Sequence, residues 1–86
     1  MDSQTVYIST ATTTVVKNGA GHLNSITIGE TAAGAITIYD NTAASGTVIA
    51  VLKASIAEQT FEFNAPCVNG ITVVTAAASK LQVCYE

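Results

Sequence analysis

The chain has 86 residues, with three lysines and no arginine against six acids, a formal net charge of −3, and 10% charged residues beside 49% hydrophobic ones. A nucleic-acid binder neutralises phosphates with clustered Lys and Arg; Lys17, Lys53 and Lys80 stand apart from one another, so nucleic acid is excluded as a partner. The length suits one domain, the N-terminal MDSQTVYIST has neither the basic nor the continuous apolar region of a secretory signal, and Asn64, Pro66, Asn69 and Gly70 break the uncharged stretch 63–79 as a membrane span. The expectation is a soluble chain that stays in the cytoplasm where it is made, with no membrane partner.

Val, Ile and Thr together supply thirty residues, a β-prone composition. Turn chemistry interrupts the chain about every eight to twelve residues, the rhythm of a sandwich or barrel. The first run, near 4–9, points Val6 and Ile8 inward and Tyr7 outward. Residues 1–10 are either an arm that reaches neighbouring molecules or an edge strand of the domain formed by 11–86. A run near 12–17 carries Val15 outward and ends in NGAG. His22 then opens a strand near 22–28 with Ile26 and Ile28 inward, followed by the turn GETAAG, which Glu30 begins. Near 35–40, Ile36 and Ile38 face the core and Tyr39 faces out. Asp40 and Asn41 open the loop DNTAASG, where their side chains cap backbone N–H groups of the turn. The run near 47–54 points Val48, Ala50 and Leu52 inward, leaving Ile49 and Val51 outward with Lys53. Phe61 and Phe63 flank Glu62 in a run near 60–64; NAPCVNG precedes 71–75, with Ile71 and Val73 inward and Val74 outward. The last run, near 80–86, buries Leu81, Val83 and Tyr85 and turns Gln82 and Cys84 the other way. Together these predict an all-β, eight-stranded antiparallel β-sandwich of jelly-roll-like form.

The chemistry-bearing residues are few and scattered. His22 is the one histidine, and no local motif gives it the nucleophile or carboxylate that general base catalysis needs. His22, Cys67 and Cys84 have no metal-ligand spacing, and no glycine-rich phosphate loop leads into a helix. Cys67 and Cys84, without a secretory signal, read as reduced thiols. No enzymatic activity, metal or cofactor is expected. A sugar platform would rest on Tyr7 and Tyr39. The more informative surplus is the outward apolar set Tyr7, Val15, Tyr39, Ile49, Val51 and Val74, a patch that a lone soluble domain usually avoids and that points to contact between subunits.

The stretch GETAAGAITIYDNTAASGTVIAVLKASI (29–56), with its phrase ITIYDNTAASGT, and NGITVVTAAASKLQVCYE (69–86) resemble small β-rich structural proteins of tailed bacteriophages. That resemblance implies a virion component on the capsid exterior, a decoration or cement protein that stabilises the head by binding between capsomers. It also implies a homotrimer with the major capsid protein as partner. The alternatives are a tail- or fibre-associated binding module and a small carbohydrate-binding β-sandwich.

Overall fold

A computed structural model of the chain describes residues 4–30 and 32–86. Among the described residues the regular structure is β throughout: β1 (Gln4–Ile8), β2 (Thr13–Asn18), β3 (Gly21–Glu30), β4 (Ile36–Asp40), β5 (Thr47–Leu52), β6 (Thr60–Cys67), β7 (Gly70–Thr75) and β8 (Lys80–Tyr85). The strands form two antiparallel four-stranded sheets, ordered β1-β8-β3-β6 and β2-β7-β4-β5. This is a jelly-roll β-sandwich: each of the eight successive strands except the β4-β5 hairpin is followed by one in the other sheet. The choice between arm and edge strand falls on the strand side for Gln4–Ile8, which pairs with β8; residues 1–3 lie outside the described residues.

Alternation places the core where the period of two predicts it. Ile8, Ile26, Ile28, Leu81 and Val83 from the first sheet meet Ile36, Ile38, Leu52, Ile71 and Val73 from the second, all buried, with Leu23 and Cys67. Six of these side chains are β-branched isoleucines whose stiff χ1 suits a pleated surface. Tyr85 is half-buried, its hydroxyl donating to Gln4 Oε1 at 3.2 Å.

One register irregularity corrects the reading of β5. Ile38 pairs with Ala50 but Tyr39 pairs with Val48, so Ile49 is an extra, bulged residue. The bulge reverses the parity beyond it: Val48, expected inward, is 47% exposed, while Ile49, expected outward, packs against the core. Only Ala50 and Leu52 keep the expected inward direction. A second bulge, between Leu23 and Ser25, sits opposite Asn64, which adopts the left-handed conformation at φ 51°.

The loops are tied down by side chains from segments distant in sequence. The Thr75 hydroxyl donates to the Thr10 carbonyl at 2.6 Å and accepts from the Thr12 N–H at 3.0 Å, fixing the β1-β2 connection. The buried Ser79 hydroxyl accepts from the Ala32 N–H at 3.1 Å. Asp40 also acts at long range: its Oδ1 accepts from the N–H groups of Val68 at 3.0 Å, Asn69 at 2.9 Å and Gly70 at 3.4 Å. The expectation that Asp40 caps its own loop is therefore corrected, because its side chain turns across to the β6-β7 turn. Asn41 does serve DNTAASG, accepting from the Thr42 N–H at 2.8 Å and donating to the Ser45 carbonyl at 2.9 Å.

Candidate functional site

The pairing registers align the outward side chains of the second sheet into two rows. Thr13, Val74, Thr37 and Val51 make one; Val15, Thr72, Tyr39 and Val48 make the other. Neither row carries a charge. Val15, Val48 and Val51 are exposed, and Tyr39 and Val74 are half-buried. Thr72 is fully buried even on this outer face, its hydroxyl donated to the Asn41 carbonyl at 2.7 Å. Valine and threonine dominate because this face is pleated and tightly cross-paired, where β-branched side chains lose little freedom.

The opposite face of the sandwich is different in kind. Its rows are Tyr7, Gln82, Thr27, Thr60 and Thr5, Cys84, Ser25, Glu62. Thr27 and Thr60 share a hydroxyl hydrogen bond of 3.0 Å, and at one end Lys80 Nζ lies 3.6 Å from Glu30 Oε2. A depression of about 460 Å³ there is lined by Tyr7, Glu30, Lys80 and Gln82.

Of the six outward apolar residues read from the sequence, Val15, Tyr39, Val51 and Val74 are thus brought onto one face. Tyr7 lies on the other sheet, and Ile49 is turned inward by the bulge. A joint Tyr7 and Tyr39 sugar platform is ruled out by the same separation. Val48 and Thr37 complete the face, and alternation missed Val48 because a bulge leaves no mark in a run of apolar residues.

The remaining candidates form no common centre. His22 Nδ1–H donates to Asn24 Oδ1 at 2.6 Å, and its backbone pairs with Glu86. Cys67 and Cys84 are free thiols, one in the core and one on the outer face of the first sheet. Burial, aided by the nearby Asp40 charge, pushes the Cys67 thiol above its ordinary range, so it stays protonated and poorly nucleophilic at neutral pH. The Asp40 carboxyl is held below the ordinary range, chiefly by the Asn69 and Val68 N–H groups. Among the described residues no cluster of three or more His, Cys, Asp or Glu is placed to hold a metal ion.

No family model matches the sequence, and no curated protein does. The fold is similar to a solved structure, the crystal structure of the Drosophila NLP core, which is described as giving insight into pentamer formation and histone binding. The match has TM-score 0.61 and 12% identity, and covers 100% of this chain and 97% of that one. At that identity the likeness is one of fold. It corrects the expectation of a capsid decoration or cement protein: the fold is met in a pentamer-forming, histone-binding core, and neither a capsid partner nor a trimer has support. The β-sandwich itself stands on the strand order and on this neighbour alike.

Proposed function

We infer that this chain is a non-catalytic structural module that works by assembling with copies of itself. The observation that carries the reading is the uncharged outer face of the β2-β7-β4-β5 sheet, which leaves Val15, Val48 and Val51 in solvent at 48%, 47% and 60% exposure. Apolar groups gathered on one face mark an interaction site. The pentamer formed by the NLP core supports the reading, since a sandwich of this shape and length packs into a closed homo-oligomer. A closed assembly of like subunits is the form proposed for this chain.

The reading is non-catalytic because, among the described residues, the candidate reactive groups are already engaged or enclosed. His22 is bonded to Asn24, the Cys67 thiol is buried, and the Asp40 carboxylate is occupied by three backbone N–H groups. The histone binding of the NLP core is not carried over, because the acids here are spread out: Glu30 pairs with Lys80, and Asp40 is taken up in a turn. Sedimentation velocity of the purified chain over a concentration series tests the reading. A species of at least twice the monomer mass of 8.8 kDa is expected; a monomer at every concentration overturns it.

A further inference from the structure

We propose that the outer face of the β2-β7-β4-β5 sheet is the surface through which one copy of this chain contacts the next. The proposal rests on the self-assembly reading and assigns its site. Size supports it first. The molecule measures 31 × 25 × 17 Å, so a broad face of the sandwich is comparable to the roughly 800 Å² that each partner buries in a standard stable interface.

Charge selects the occupant and the face. Every copy carries a formal net charge of −3, so copies repel unless the touching surfaces are free of acids. Thr37, Tyr39, Val48, Val51 and Val74 meet that condition, since neither row on this face holds an ionisable carboxylate. The other broad face does not: Glu62 lies within its rows, and the Lys80–Glu30 pair stands at its end. A strongly basic or acidic partner would find no complementary charge on the uncharged face, whereas a second copy needs none. The apolar contact would run from Val48 and Val51 on one edge strand through Tyr39 and Val74 to Val15 on the other edge, with the Tyr39 ring providing rigid contact area of the kind enriched at interfaces.

The test compares sedimentation equilibrium of the intact chain with two charge insertions on this face, Val51→Glu and Thr37→Lys, and one on the other face, Gln82→Lys. Circular dichroism confirms that each variant is folded. The expected result is a dissociation constant raised at least about tenfold by either second-sheet variant, with Gln82→Lys close to the parent. Should Val51→Glu or Thr37→Lys fail to fold, Val48→Lys takes its place, at a position 47% exposed near the start of an edge strand. Assembly that survives the second-sheet variants, or is lost equally with Gln82→Lys, overturns this assignment and leaves self-assembly standing. A parent chain that is monomeric throughout, whether or not it captures another protein, overturns both.

Discussion

Asp40 shows how a single side chain closes one end of the sandwich. Its carboxylate takes the N–H groups of the β6-β7 turn from 28 to 30 residues away, replacing water as their acceptor with a charge-assisted bond. Because those bonds lower its folded pKa, the folded state binds the proton less readily than the unfolded chain, whose aspartates titrate near about 3.9. The contribution is therefore complete above that value and is lost as pH falls through the lower, folded value. Asp40→Asn is expected to lower the thermal unfolding midpoint at pH 7, with the gap to the parent narrowing in acid; a gap independent of pH would contradict this account. Gly70 makes a second expectation at the same turn. At φ +158°, a Cβ there would lie 2.8 Å from the Lys17 carbonyl oxygen and 3.0 Å from that of Asn41, both backbone atoms that cannot swing away. Gly70→Ala should cost about 1–3 kcal/mol by overpacking, measured by urea unfolding.

Among the elements, β5 is the one whose local geometry changes the surface. Simple alternation over Thr47–Leu52 would bury Val48 and expose Ile49; the bulge does the reverse. Bulges bend and twist an edge strand, and β5 is an edge of its sheet. Truncation separates the two geometries. Ile49→Ala should cost about 2 kcal/mol of folding stability, at the low end for a large apolar residue because Ile49 is only partly buried. Val48→Ala should change monomer stability by no more than about 0.5 kcal/mol, as at ordinary surface positions. Denaturant melts at concentrations where the chain is dissociated would show it, and equal losses at the two sites would contradict the bulge. The β7 strand has the opposite character: central in its sheet, it is buried along most of its length, so even its outward Thr72 is enclosed and gives its hydroxyl to the Asn41 carbonyl.

On the scale of the whole molecule, the two broad faces divide the labour of staying dissolved and of meeting a partner. The first sheet shows Thr, Ser, Gln, Glu and Tyr7 to solvent, and the second shows Thr and Val with a half-buried Tyr39 and no charge. Copies that meet through an uncharged face while each carries −3 repel only through the charges outside the contact, and salt screens that repulsion over about 10 Å at 0.1 M. Assembly should therefore hold or tighten as salt rises from about 0.05 to 0.5 M, opposite to the weakening of a contact built on ion pairs. Light scattering across that salt series checks it; dissociation on adding salt would point to an interface on the charged face.

The two-residue period, the turn residues and the β-branched composition determined most of the fold by themselves. Strand limits such as 47–54 against Thr47–Leu52, and core pairs such as Ile36 with Ile38 or Leu81 with Val83, follow from side chains alternating across a pleat. Tertiary structure decided what periodicity cannot encode. Parity says that Tyr7 and Tyr39 both point outward, but only the strand order places them on opposite sheets. An apolar run reads the same with or without an extra residue, so the bulge that exchanges Val48 for Ile49 emerges only from the pairing with β4. Asp40 looks like a cap for the loop it opens, and its true partners are close only because β4 ends beside the β6-β7 turn. The candidate face was legible as a list of outward apolar residues; its shape, two uncharged rows across four strands, exists only once β2, β7, β4 and β5 are hydrogen-bonded in that order.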